Sequence, residues 1–276
     1  MDDSPPSFWA RHSFAIRRLH SLSGLVPVGG YMVIHLLVNA SVLNGAASFQ
    51  GNVANIHKFG ALLPVIEWTF IFIPILFHAI IGMAIVAGAL PNTHHYPYEA
   101  NVRYTLQRVT GVIAFFFIGL HVFHMHGWFH NQWWMQYVVG PLGGGQFKPY
   151  NATSTAGLAL QPITVTVVYV VGVLASVYHL ANGIWTMGIT WGAWTSPAAQ
   201  RRALAVCSVF GVLLAGVGMG ALFGMRGAVN TEQKLRQVQD LEAKIIRHDI
   251  EAGVLKMRDA KHKMAEPPAT DAAAGH

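Results

Sequence analysis

Five long apolar stretches alternate with short polar segments along the 276-residue chain. They cover about residues 19–43, 65–90, 104–126, 163–190 and 203–225. Each exceeds the roughly 18 apolar residues that a helix needs to cross a bilayer. The pattern predicts an all-α integral membrane protein, with a bundle of five transmembrane helices in a domain covering residues 19–225.

Polar segments flank this domain on both sides. Residues 1–18 form a proline-containing leader without a small-residue cleavage signal, so the first span is predicted to be a retained helix and not a signal peptide. Residues 226–276 form a charged tail that predicts an amphipathic helix followed by a disordered Pro/Ala-rich end. Its apolar positions recur at three- and four-residue spacing: Val238, Leu241, Ile245, Ala252 and Leu255.

The net charge of +6 is distributed unevenly between the loops. The N-terminal segment and alternate loops carry Arg11, Arg17, Arg18, Arg103, Arg201 and Arg202, whereas the opposite loops carry Lys58 and Lys148. By the positive-inside rule, the N-terminus is cytoplasmic and the C-terminus lies outside. The basic balance therefore indicates membrane topology and not nucleic-acid binding.

Cys207, inside the fifth span, is the only cysteine. A disulfide framework and a covalent haem-attachment motif are therefore excluded. The sequence also has no P-loop and no Gly-rich dinucleotide fingerprint. The chemistry must use groups inside the membrane or belong to another subunit.

Each of the first four spans contains one deeply placed histidine: His35, His78, His121 and His179. Ionisable side chains at such depth are rare and mark function by default. His35 and His121 each lie 17 residues beyond the inner end of their span, about 25 Å from the inner face at 1.5 Å per residue. His78 and His179, on spans that run the other way, lie about 16 to 18 Å from that face. The four histidines thus form two pairs at two depths.

Paired imidazoles on facing helices suit a metal centre, for which haem iron is the common case. Small residues on the same helical face would give a macrocycle room. At about 100° per residue, Gly24 lies on the face of His35 and Gly82 on that of His78, while Gly172 and Gly183 flank His179. The pattern predicts two non-covalent b haems, each held by two histidines, which pass electrons and do not bind oxygen.

Four ordered segments surround these histidines. They read "RRLHSLSGLVPVGGYMVIHLLVN", "IFIPILFHAIIG", "LQRVTGVIAFFFIGLHV" and "YVVGVLASVYHLANGIWTMGITWG". They closely resemble the dihaem cytochrome b subunit of succinate:quinone oxidoreductases, the succinate dehydrogenases and fumarate reductases whose membrane anchor is one five-helix chain. The resemblance covers about residues 11–225.

The resemblance implies a role for each histidine. His78 and His179 would bind the proximal haem, nearest the iron–sulfur subunit, and His35 and His121 the distal haem. It also implies a flavoprotein partner with FAD, an iron–sulfur partner, a membrane quinone (menaquinone is usual for this class) and a place in the bacterial inner membrane. The dicarboxylate site would lie on another subunit, and the complex could form a higher oligomer.

Haem propionates need hydrogen-bond donors, and four residues are candidates. His20 and Ser21 match the family segment that meets the propionates of the proximal haem, although residues near lipid headgroups would look the same. Gln107 lies 14 residues before His121, near the same face. Arg108 could supply charge-assisted bonds, but membrane topology accounts for it equally.

Glu67 is the only acidic residue within the five apolar stretches. It precedes His78 by 11 residues, which predicts a shared face towards the distal haem. A carboxylate there could relay protons to a quinone. The alternative is a hydrated acid at the mouth of the second span.

The stretch "HVFHMHGWFH" contains His126 and His130 at i, i+4 spacing. This spacing would suit a metal ion if the segment were helical. Histidines at a wet helix end need no metal, so both readings stay open.

Three other functions fit part of the pattern. A dihaem anchor of another quinone-linked dehydrogenase would differ in helix order and ligand spacing. A haem-free transporter could use intramembrane histidines as a proton relay, but no repeat relates the two halves of the chain. A purely structural anchor leaves the four placed histidines unexplained.

Overall fold

The computed structural model describes residues 8–88 and 93–253, and every regular element in these ranges is helical. The main helices are α1 (Phe8–Asn44), α2 (Ala46–His57), α3 (Gly60–Ala87), α4 (Glu99–His126), α5 (Ala152–Ala159), α6 (Ile163–Thr190), α7 (Pro197–Ala228) and α8 (Glu232–Glu251). Helices α1, α3, α4, α6 and α7 are long and apolar enough to cross a membrane. The predicted all-α, multi-pass architecture is confirmed.

Four of the five spanning helices, α1, α3, α4 and α7, begin before the start of the predicted span. Helix α1 begins at Phe8 and not near residue 19, because its first sixteen residues contain neither glycine nor proline and continue the helix through polar positions. Helix α7 begins at Pro197, a residue type suited to the first turn of a helix. Residues 1–7, the end of the predicted second span at 89–90, and the tail from 254 with Leu255 lie outside the described residues.

Two of the spanning helices contain a π-helical turn. One covers Gly24–Gly29 in α1, with Pro27 inside it, and the other covers Trp68–Phe72 in α3, just before Pro74. Proline has no N–H to donate, which disturbs the regular backbone ladder. A π turn bonds residue i to i+5 and so contains more residues than an α turn. Side chains before and after it therefore do not follow 100° per residue.

The chain divides into two compact units. The first comprises the described parts of Met1–Leu37, Gly60–Gly119 and Val168–Met219. Its apolar core is built on Leu36, Val177, Leu180 and Leu214. The predicted cytoplasmic arginines all belong to this unit, whereas Lys58 and Lys148 belong to the second.

The second unit comprises the described parts of Val38–Phe59, Leu120–Val167 and Gly220–His276. Helices α2, α5 and α8 pack together in it. The buried amide of Gln50 joins two of them: its Oε1 accepts from Ala152 N at 2.9 Å, and its Nε2 donates to Pro149 O at 2.8 Å. The long loop between the third and fourth spans is therefore folded, with α5 as its centre.

The C-terminal segment holds α5 at both of its ends. At the N-terminus, the fully buried carboxylate of Glu242 accepts from Thr153 N at 2.8 Å, Ser154 N at 3.0 Å and Ser154 Oγ at 2.5 Å. At the C-terminus, the guanidinium of Arg226 donates to Leu160 O at 2.9 Å and Gln161 O at 3.1 Å. An anion at the N-terminus and a cation at the C-terminus both complement the helix dipole. We call this arrangement of Glu242 and Arg226 the α5 clamp.

The predicted helix in the charged tail is confirmed as α8, but its buried face differs from the predicted one. The buried residues are Val238, Glu242 and Ile246. Leu241 and Ile245 are half-buried, and Ala252 is exposed beyond the helix end. The buried face includes the polar residue Glu242 because its carboxylate accepts hydrogen bonds from N–H groups of α5.

Candidate functional site

His78 of α3 and His179 of α6 lie side by side in the first unit. Their ring centroids are 6.1 Å apart and their planes are inclined by 80°. Two imidazoles that each place a nitrogen about 2 Å from one metal ion have centroids about 6 Å apart. The separation of this pair therefore suits two ligands on opposite sides of one metal.

Both rings are fixed by a hydrogen bond from the nitrogen that would not bind the metal. His78 Nδ1–H donates to His20 O at 2.9 Å, and His179 Nδ1–H donates to Gln107 O at 2.9 Å. A backbone carbonyl can only accept, so each Nδ1 carries the proton and each Nε2 presents a lone pair. Metal-binding histidines use this arrangement, in which the second nitrogen fixes tautomer and orientation.

Glycines let neighbouring helices approach both rings. A Cβ on Gly24 would lie 2.3 Å from His78 Cε1, and one on Gly111 would lie 2.8 Å from His179 Cε1. The prediction that Gly24 flanks His35 is wrong, because the π turn at Gly24–Gly29 changes the helical register before His35.

The other predicted small residues have mixed roles. Gly82 faces His20, whose Cε1 would lie 3.2 Å from an added Cβ. Gly172 faces the ring of Phe117, from which an added Cβ would lie 2.1 Å away. It therefore serves helix packing and not the surroundings of His179. Gly183 lies against Gln107 Nε2, at 3.4 Å from an added Cβ.

Three buried donor atoms of the first unit have no acceptor among the described residues: His20 Nδ1, Arg103 Nε and Arg108 Nη1. His20 stacks on His78 with ring centroids 4.1 Å apart and planes inclined by 8°. A buried donor without an acceptor costs about 1–3 kcal/mol. Arg103 already pairs with Glu99 through Nη1, so only its Nε is buried and unbonded. The unbonded nitrogens of His20 and Arg108 support the anionic site that the sequence predicts there.

Ser21 and Gln107, the other two predicted propionate contacts, already have partners. Ser21 Oγ donates to Arg18 O at 3.0 Å and accepts from Trp191 Nε1 at 3.0 Å. The amide of Gln107 contacts His179 and Asn182. Sequence reasoning missed Asn182, although a buried polar residue three positions after a ligand shares its helical face.

His35 lies in the first unit, next to Tyr31 on the same helix. The Tyr31 hydroxyl is 3.5 Å from His35 Nδ1, and the ring centroids are 5.5 Å apart. His121 lies on α4 in the second unit. The pairing of His35 with His121 stays a prediction.

Glu67 is half-buried in α3, immediately before the π turn at Trp68–Phe72. Single π turns inside helices occur frequently at functional sites. The turn also separates Glu67 from His78, so the shared face predicted from 100° per residue does not follow. Its predicted role as a proton relay is untested.

The helical spacing predicted for His126 and His130 is absent from the structure. Helix α4 ends at His126, and Gly127 and Trp128 both have positive φ angles, of 78° and 63°. His126 and His130 therefore do not share a helix, and the condition on which a metal site was predicted is not met. Within 8–88 and 93–253, no group of three or more His, Cys, Asp or Glu residues could hold a metal ion.

The sequence was compared with known proteins. The chain is 33% identical over 213 residues to the succinate dehydrogenase cytochrome b558 subunit of Bacillus subtilis (strain 168). The match covers 76% of this chain and 96% of the relative. No protein-family model matches the chain.

Proposed function

This chain belongs to the family of the succinate dehydrogenase cytochrome b subunit, the membrane anchor of succinate:quinone oxidoreductases, and we propose that it links an iron–sulfur subunit to membrane quinone. Bound to the chain, two b haems would supply one-electron carriers between these partners. A second partner, a flavoprotein with FAD, would hold the dicarboxylate site. The observation that carries the proposal is the His78–His179 pair.

His78 and His179 would hold the iron of the first haem. Their spacing, their fixed tautomers and the glycines beside each ring all support this assignment. The buried donors of His20, Arg103 and Arg108 would bind the anionic propionates. Ser21 and Gln107 have lower priority as propionate contacts, because their polar atoms bind neighbouring residues.

The second haem site uses His35 and His121. Its support is the depth of both residues in their spans, the resemblance of the surrounding segments, and the printed name of the relative as a cytochrome b. Tyr31, beside His35 Nδ1, would help to orient that ring.

Quinone reduction consumes two protons for every two electrons, and Glu67 is the proposed proton donor. It is an ionisable group inside a membrane span, and such groups belong by default to functional sites. It lies immediately before a π turn, a feature that is frequent at functional sites.

The proposed orientation has the N-terminus in the cytoplasm of a bacterium and the chain in its inner membrane. The grouping of Arg17, Arg18, Arg103, Arg201 and Arg202 in one compact unit supports it. The iron–sulfur and flavoprotein subunits would bind on the side of this unit.

The test is haem quantitation in the purified complex, by pyridine haemochrome and by the difference between reduced and oxidised spectra. Two b haems per chain are expected. A folded complex without haem would overturn the proposal and favour a proton-relay or anchoring role for the histidines. Succinate-dependent reduction of a menaquinone analogue, measured on the same preparation, tests the reaction itself.

A further inference from the structure

His179 and Gln107 make hydrogen bonds in both directions between α6 and α4. The ring of His179 donates from Nδ1 to the backbone carbonyl of Gln107 at 2.9 Å. The side-chain Nε2 of Gln107 donates to the backbone carbonyl of His179 at 3.1 Å. The two residues are 72 positions apart, so this pair fixes the two helices at one depth.

The amide nitrogen of Gln107 also lies over the imidazole. Its Nε2 is 3.2 Å from Nδ1 and 3.5 Å from Nε2 of His179. Nearly equal distances to two atoms of one ring place the amide over the ring face and not on one lone pair. Since Nδ1 already carries a proton, this contact is an N–H group directed at the π face.

Asn182 holds this amide in place. Its Nδ2 donates to Gln107 Oε1 at 2.7 Å, and the Asn182 residue is 7% exposed. Because Asn182 donates this bond, the oxygen of the Gln107 amide must point towards Asn182. The NH₂ group of the same amide then points towards His179. Gly183 supplies the space for this approach.

We propose that Gln107, oriented by Asn182, is a positioning residue for the His179 ring and raises the reduction potential of the haem that His78 and His179 bind. The inference rests on the proposed haem-binding function. The Gln107 amide restricts rotation of the His179 ring about the bonds that join it to the backbone. Its N–H also directs positive partial charge at the ligand, which disfavours the more positive, ferric state.

The test uses the complete complex and four substitutions. Gln107→Leu removes the amide at similar size, and Gln107→Glu replaces it with a group of negative charge. Asn182→Leu leaves Gln107 in place but removes its orienting bond. Thr186→Val is the matched control, because the Thr186 hydroxyl donates only to Gly183 O of its own helix, at 3.0 Å.

The readouts are the midpoint potentials of both haems and the electron paramagnetic resonance spectrum of the oxidised complex, which reports the angle between axial rings. The haem lost in His179→Ala identifies the relevant midpoint. In Gln107→Leu, the ferric-to-ferrous ratio of this haem at a given potential is expected to rise about tenfold. This corresponds to a midpoint potential lower by about 59 mV for a one-electron couple. Gln107→Glu should shift it further and Asn182→Leu less, with the second haem and Thr186→Val unchanged.

Two haems with unchanged potentials and spectra in Gln107→Leu and Asn182→Leu would overturn the inference and leave the proposed function standing. If Gln107→Leu does not assemble, Asn182→Leu decides alone, because it keeps the ligand and both backbone bonds. A wild-type complex without haem would overturn the proposed function, and the role of Gln107 would fall with it.

Discussion

His20 contacts His78 twice: its ring stacks on the ring of His78 at 4.1 Å, and its carbonyl accepts the Nδ1 proton of His78 at 2.9 Å. One residue of α1 therefore fixes both the plane and the tautomer of a proposed haem ligand on α3. Gly24, one turn further along α1, lets the two helices come this close. Helix α1 would thus take part in the proposed His78–His179 haem site, to which it contributes no ligand.

Gly24→Ala is expected to remove one haem of two. The added Cβ would lie 2.3 Å from His78 Cε1, closer than real Cβ contacts, so the ring must move from its position. Haem content per chain measures the effect. Gly30→Ala is the control on the same helix, because a Cβ there meets nothing within 4 Å. Equal haem content in the two variants would contradict the assignment.

Loss of the Glu242 carboxylate is expected to destabilise the second unit. Glu242→Ala leaves the buried N–H groups of Thr153 and Ser154 without an acceptor, at a cost of about 1–3 kcal/mol each. Thermal unfolding and limited proteolysis of the loop around Ser154 measure the change. Lys244→Ala, exposed on the same helix, is the control and should behave as wild type.

The stability of the clamp should also depend on pH. Burial raises the pKa of Glu242 above its ordinary value of 4.5, although hydrogen bonds from Ser154 and Thr153 act in the opposite direction. The folded chain therefore holds this proton more tightly than the unfolded chain. The stabilisation that results from the raised pKa of Glu242 is fully present below the ordinary pKa. It is lost as the pH rises through the raised pKa of the folded chain.

Glu242→Gln should remove this decline, since an amide does not titrate. The measurement is the difference in unfolding temperature between wild type and variant from about pH 4 to about pH 8. Wild type should lose stability relative to the variant as the pH rises. Parallel curves for the two proteins would show that Glu242 does not titrate in the folded state.

Glu67→Gln is expected to keep both haems and to slow quinone turnover, because the amide cannot deliver a proton. A loss of about 10²-fold or more is typical for a general acid or base. Haem content and turnover are measured on the same preparation. Asp240→Asn, an exposed acid on α8, is the control. Unchanged turnover in Glu67→Gln would eliminate this residue as the relay.

The five spans and the charged helical tail could be predicted from sequence because apolar length and periodicity are local properties. Helical faces could be predicted only within uninterrupted α-helix. Gly24 was assigned to the face of His35 and lies against His78, since Pro27 produces a π turn between Gly24 and His35. One extra residue in a turn moves every later side chain around the helix.

The contacts of Glu242 and Gln107 could not be predicted for a different reason. Each side chain binds a backbone group more than seventy positions away, at 88 residues for Glu242 and Ser154 and at 72 for Gln107 and His179. No spacing within either helix encodes such a partner. The sequence predicts Gln107 as a propionate contact near the face of His121, and that role stays a prediction. It does not predict the bonds of Gln107 to His179 and Asn182.

The α5 clamp has a consequence for synthesis of the chain. Helix α5 is made 88 residues before the glutamate that caps it, about 4 to 18 seconds earlier at ordinary translation rates. Until residue 242 has been added, the first N–H groups of α5 have no acceptor from the tail. A chain that ends before residue 242 thus leaves the N–H groups of Thr153 and Ser154 without this acceptor. The start of α5 therefore gains its buried acceptor only after α8 has been synthesised.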